Sequence, residues 1–248
     1  MCIIAIKPKG MKMFDDTTIK TMFINNPDGA GIMYFDGQNV VIEKGFMTCK
    51  SLLKKLHSRD FTNTNLVVHF RIGTSGLNDA LNCHPYPINQ KNALKCTAKL
   101  AMAHNGILRG YIPPKTAPIN DTQFFINNVL NELGPNFHRN KDVLFMIKEL
   151  IGTNKLAFLD NKNKLTLVGD FIEDGGYIYS NGSYKLSTLY TNVCPKAKPA
   201  KTVAKKGNTN VCLNPYNSYG CVSKKSFWDD DEPNDFWTDY DKRHPLGY

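Results

Sequence analysis

Met1-Cys2-Ile3-Ile4-Ala5-Ile6-Lys7 places an unbroken apolar run directly behind a cysteine. A continuous run this short reads as a strand buried on both faces. A small residue after the initiator Met1 lets methionine aminopeptidase remove that methionine, which would leave Cys2 with a free α-amine beside its own thiol. The amine has an unperturbed pKa near ~7.7–8.0 and the thiol one of about 8.5. One residue would then hold both nucleophile and base. A cysteine at this position is more often an ordinary core residue, so the assignment depends on what the rest of the chain supplies.

Outward from this strand, Ile19, Met22 and Phe23 fall at helical spacing behind acidic residues, which predicts a helix over Asp15–Asn25. Asn26-Pro27-Asp28-Gly29 reads as a turn, followed by a strand over 31–35. Asp36-Gly37 connects it tightly to a strand over 40–43. A helix is expected over 49–57, strands over 65–71 and 100–104, and helices over 121–133 and 141–151. A hairpin is expected from 155–160 and 164–168, and closing strands at 177–180 and 185–189. Strands in antiparallel pairs, interrupted by groups of helices, favour sheets covered by helices over an alternating parallel fold.

Two segments bear on Cys2. His69-Phe70-Arg71-Ile72-Gly73-Thr74-Ser75-Gly76 sets an arginine at a strand end before a Gly/Ser/Thr loop, with Asn82-Cys83-His84-Pro85 beyond it. An arginine fork there suits bidentate capture of a carboxylate, though it also suits a surface ion pair. Ala103-His104-Asn105-Gly106 ends another apolar strand. Its side-chain amide and backbone N–H are the parts of an oxyanion hole, while Asn-Gly also makes hairpin turns.

Together with Cys2, these segments resemble the class II glutamine amidotransferases, whose glutaminase domains are N-terminal-nucleophile hydrolases. HFRIGTSG resembles the family's H-x-R-x-x-T-x-G, NCHP its N-x-H-P, and AMAHNGIL its H-N-G strand. Asn120-Asp121-Thr122 resembles the acidic motif of the glutamine site, and Asp28-Gly29-Ala30-Gly31 the D-G-x-G turn. Ile72 stands where an aromatic residue is common, and Ser75 where a histidine is.

The resemblance spans about residues 2–190. It implies an α+β fold, a four-layer αββα sandwich of two antiparallel sheets between helical layers. It also implies a Cys2 nucleophile, an oxyanion hole from Asn105 and Gly106, and a substrate site of Arg71, Thr74, Gly76 and Asp121. L-glutamine would be the substrate and an ammonia-accepting synthase or ligase chain the partner. Another amidase of the same superfamily, or a catalytically silent binding module, is the alternative.

At 248 residues and 42% hydrophobic content the chain can bury one substantial core and still carry a tail. No apolar run approaches the ~20 residues of a membrane span, and the basic and apolar regions of a signal peptide are missing. A cytoplasmic location is therefore expected, with no membrane partner. The seven cysteines include no C-x-x-C pair. His69, His84 and His104 show neither HxH nor HExxH spacing, so no metal or other cofactor is expected. The net charge of +9 comes from scattered lysines with no recognition-helix, ribonucleoprotein or finger pattern, which points away from nucleic acid.

Residues 1–190 read as the glutaminase-like domain and 191–248 as a tail. The tail holds a Lys/Ala/Pro linker over 195–207. Phe227, Trp228, Phe236, Trp237 and Tyr240 then lie among acidic residues, a segment that would dock on a partner, fold back or stay disordered.

Overall fold

The computed structural model describes residues 1–73, 77, 79–114 and 116–185. The tail and Thr74, Gly76 and most of the strand expected over 185–189 lie outside these residues, and Lys185 itself is in no strand.

The opening run becomes β1 (Ile3–Lys7), with every residue buried. Its burial on both faces follows from the layers that cover a large antiparallel sheet on either side. That sheet also holds β2 (Ala30–Phe35), β3 (Val40–Phe46), β4 (Leu66–Phe70), β6 (Lys95–Ala98), β10 (Ile172–Asp174) and β11 (Tyr177–Tyr179). Their order is β10-β11-β1-β4-β2-β3-β6. A second antiparallel sheet has the order β5-β7-β8-β9, from β5 (Tyr86–Pro87), β7 (Leu100–Asn105), β8 (Lys155–Asp160) and β9 (Leu165–Val168).

The two-residue period of the strands sorts side chains into layers. Ile4 and Ile6 of β1, with Met33, Ile42 and Val67, meet Ala101 and Ala103 of β7 and Ala157 and Leu159 of β8 between the sheets. The alternate residues Leu100 and Met102 of β7, with Leu156 and Phe158 of β8, face the other way. They pack against α3 (Asp121–Asn128) and α4 (Lys141–Ile151) through Phe125, Ile126, Ile147 and Ile151.

On the outer face of the large sheet lie α1 (Asp16–Asn25) and α2 (Cys49–His57), with Phe23 edge-on to Phe70. The result is the four-layer αββα sandwich of two antiparallel sheets between helical layers. Among the described residues no helix is long and apolar enough to cross a membrane.

Helix starts follow local chemistry. Asp15 accepts from Thr18 N–H at 2.8 Å, and Thr48 from Ser51 N–H at 3.2 Å, each satisfying a free donor of the first turn. The helix expected over 121–133 instead ends at Asn128 and continues as a 3₁₀ turn over Leu130–Leu133. Asn127, Asn128 and Val129 are all weak helix formers, which lets the change of winding occur there. The short strands β5, β6 and β10 have no apolar alternation long enough to read, and tertiary pairing alone makes them.

One close approach ties the large sheet to the site. A Cβ on Gly31 would run into the His84 carbonyl and the Cα and Cβ of Lys44, so only glycine lets His84 sit against β2.

Candidate active site

The register that sets Ile3 opposite Phe70 and Ile4 opposite His69 brings Cys2 beside the residues leaving β4. Cys2 is half-buried. Its Sγ accepts from Ile72 N–H at 3.2 Å and lies 3.4 Å from Ile72 O. Burial pushes the thiol above its ordinary value, outweighing the Ile72 N–H, the N-terminal ammonium and Arg71, which pull it down. A thiol held in this way needs a base to become a nucleophile. The Cys2 carbonyl accepts from Asn181 Nδ2 at 2.6 Å, which anchors the chain start.

Cys2, Arg71, Gly106 and Asp121 line one cavity, together with His84 and His104. Its volume of ≈ 20 Å³ suits about one water molecule. A roomier hollow of ≈ 480 Å³, between Leu133 and Val143, contains none of the expected site residues and no nucleophile. We therefore take the small cavity as the candidate site on its chemistry.

Each wall residue is placed by its element. Arg71 follows β4 and is nearly buried. Its backbone N–H donates to Gly29 O at 2.8 Å, and its carbonyl accepts from Asp28 N–H at 3.0 Å, so the Asp28-Gly29 turn holds the strand end. Its guanidinium donates to Leu77 O at 2.8 Å and to Asp79 O at 3.4 Å.

Asp121 is the first residue of α3, where free N–H groups favour a carboxylate. The capping box of Asn120 and Gln123 fixes that helix start. Asp121 Oδ2 accepts from Leu108 N–H at 2.8 Å.

Asn105-Gly106 is not a hairpin turn: the chain leaves β7 and goes on into a 3₁₀ turn at Arg109–Tyr111. Asn105 is buried, with Nδ2 2.8 Å from Ser180 Oγ. Gly106 has φ 140, and a Cβ there would collide with the Asn154 side-chain amide.

Three buried histidines back the cavity, and their partners set their tautomers. Asn154 Nδ2 donates to Ile151 O at 2.5 Å, which turns its Oδ1 toward His104. His104 Nε2–H therefore donates to Asn154 Oδ1 at 3.1 Å. Its Nδ1 then accepts from the Thr122 hydroxyl at 2.7 Å. Thr122 Oγ1 in turn accepts from His84 Nε2–H at 3.1 Å, and His69 Nε2–H donates to His104 O at 3.1 Å. Each ring is thus a neutral Nε2–H imidazole. Thr122 stands in the Asn120-Asp121-Thr122 motif, but its link between two histidines could not be read there, and Asn154, Ser180 and Asn181 had no local sequence signal: small polar residues acquire such roles only through the fold. Among the described residues no three His, Cys, Asp or Glu side chains are grouped to hold a metal ion.

Burial holds all three rings below the ordinary histidine value of 6.5: His69 falls to about 3, His84 well below 6.5, and His104 below it despite the pull of Asp121. The unfolded chain thus binds protons that the native chain refuses. The histidine contribution to stability should be full above about pH 6.5 and fall as pH drops, that of His69 continuing toward pH 3. Each histidine lowers stability from its unfolded pKa down to its own native value. Melting temperatures measured from pH 7.5 down to pH 5 should fall steadily. A flat profile would show that the rings are solvated or paired.

Residues 14–187 match the sequence profile described as glutamine amidotransferases class-II. Over 161 residues, 60% of this chain, the sequence is 24% identical to a glutamine–fructose-6-phosphate aminotransferase (isomerizing) of Thermococcus kodakarensis. The chain spans about a quarter of that relative, 26% of its length. Among solved structures, a glutamine phosphoribosylpyrophosphate amidotransferase from B. subtilis, complexed with ADP and GMP, matches with TM-score 0.45 and 15% identity. That match covers 73% of this chain and 42% of the other.

Proposed function

The chain belongs to the class II glutamine amidotransferases, and from that premise we propose that it hydrolyses the side-chain amide of glutamine through a Cys2 thioester and supplies the ammonia to a separate acceptor enzyme. The observation that carries the reading is the convergence of Cys2, Arg71, Gly106 and Asp121 on one cavity from four separate parts of the chain.

With Met1 removed, the α-amine of Cys2 takes the thiol proton and the sulfur attacks the carboxamide carbon. The oxyanion that forms is met by the Asn105 side-chain amide and the Gly106 N–H, donors that count for most where charge develops. The amine returns the proton to the departing nitrogen, the C–N bond breaks, and ammonia leaves. Water then adds to the thioester and releases glutamate with the thiol restored. Arg71 binds the substrate α-carboxylate and Asp121 its α-ammonium, with Thr74 and Gly76 assigned to the same substrate site by the family resemblance. At about one water's volume the cavity is smaller than glutamine. Binding therefore requires the cavity to widen around the amino acid.

Arg71→Lys and Asp121→Asn test the head-group assignment. Removing a charge-assisted hydrogen bond costs about 1.5–3 kcal/mol. KM for glutamine should thus rise roughly ten- to hundredfold, with kcat much less affected. Glutamine kinetics that Arg71→Lys leaves unchanged in both parameters would exclude the carboxylate clamp. A panel of acylated amines assayed beside glutamine separates this activity from that of another N-terminal-nucleophile amidase.

A further inference from the structure

Ser180, the residue after β11, is 1% exposed and joins three segments. Its N–H donates to Ile4 O at 2.9 Å, and its Oγ accepts from Ile4 N–H at 2.8 Å. The same Oγ lies 2.8 Å from Asn105 Nδ2. With the amide in this orientation, two donors point at one hydroxyl oxygen. The hydroxyl proton then has no acceptor among the described residues, while Asn105 Oδ1 is buried without a partner.

Half a turn of the amide gives the hydroxyl proton an acceptor and leaves a donor, not an oxygen, at the unpartnered end of the amide. A side-chain amide has nearly the same shape either way round, so hydrogen bonding decides its orientation. With Oδ1 toward Ser180, the hydroxyl donates to it over the same 2.8 Å while Oγ keeps the Ile4 N–H. The NH₂ group then moves to the position that Oδ1 held and is released from Ser180.

We propose that Ser180 is a positioning residue that holds the Asn105 amide with its oxygen inward, so that the NH₂ group is free to serve as the oxyanion donor. This rests on the reading of Asn105 given above. A hydroxyl suits the position because it accepts from Ile4 N–H and donates to the amide oxygen at once. Its neighbour Asn181 holds the Cys2 carbonyl, so adjacent residues on one strand end locate both the nucleophile and its oxyanion donor.

The test compares the full chain with Ser180→Ala, Ser180→Thr, Asn105→Ala and the Ser180→Ala/Asn105→Ala double variant. The readouts are glutamine kinetics and the rate at which iodoacetamide alkylates Cys2, read by mass spectrometry. Iodoacetamide reacts by displacement and forms no oxyanion, so it reports on the nucleophile alone.

Ser180→Ala should lower kcat about ten- to hundredfold, less than loss of the donor itself, with KM and the alkylation rate unchanged. Ser180→Thr should keep turnover near that of the parent. In the Asn105→Ala background Ser180→Ala should add nothing, because residues acting through one group are not additive. Ser180→Cys, close in volume but a poor donor, should repeat the alanine result if alanine prevents folding.

Parent-like turnover in Ser180→Ala, full additivity in the double variant, or a parallel loss of alkylation would each overturn the proposal. Unchanged turnover in Asn105→Ala would instead overturn the oxyanion reading beneath it.

Discussion

Cys2→Ala is expected to abolish glutamine hydrolysis. Where nucleophile and base act as a unit, removing the nucleophile costs up to about 10⁶-fold in kcat. The thiol here is held above its ordinary pKa by burial, with the cavity of Arg71, Gly106 and Asp121 in front of it. Such a thiol depends on a nearby base, and the proposed base is the α-amine of the same residue. Intact-mass measurement should therefore show a mature chain that has lost Met1. A glutamine-like electrophile such as diazo-oxo-norleucine should label Cys2 ahead of the chain's other thiols. Retained Met1 with full activity would rule out the amine as base, and uniform labelling would rule out Cys2 as nucleophile.

Asn105→Ala and Gly106→Ala should have the next largest effects. Loss of one oxyanion donor costs about 2.7–4 kcal/mol, roughly 10²–10³ in kcat, with little change in KM. Gly106→Ala acts by another route. The residue adopts φ 140, which disfavours any side chain, and its Cβ would strike the Asn154 amide that accepts from His104. This variant should therefore lose both turnover and melting temperature, whereas Asn105→Ala should lose mainly turnover. Parent-like kcat in Asn105→Ala, measured at saturating glutamine, would remove the oxyanion hole from the mechanism.

Much of the fold is local and could be read from the chain. The helices over Cys49–His57 and Lys141–Ile151 begin where Thr48 and Asn140 cap them, and end where their apolar spacing ends. The runs behind β1, β4, β7 and β8 are apolar enough to mark strands without reference to any partner. Caps, turns and periodicity are set by residues within a few positions of one another, so the sequence alone determines them. The same holds for the strand-end groups Arg71 and Asn105-Gly106, which lie where apolar runs stop.

What lay beyond reach is what long-range pairing creates. The strand Lys95–Ala98 exists because Val40–Glu43 offers it an edge, and nothing in Lys-Cys-Thr-Ala announces it. Ser180 meets Ile4 and Asn105 only because β11 pairs with β1 and the two sheets stack across the alanines of β7 and β8. Thr122 joins His84 to His104 only because α3 covers the second sheet, and the neutral state of those rings follows from the water which that covering excludes. The chain by itself determined which residues could do chemistry and on which elements they stand. The tertiary structure alone decided which of them meet, which polar neighbours orient them and how far each is desolvated, because those quantities depend on contacts between segments far apart in sequence.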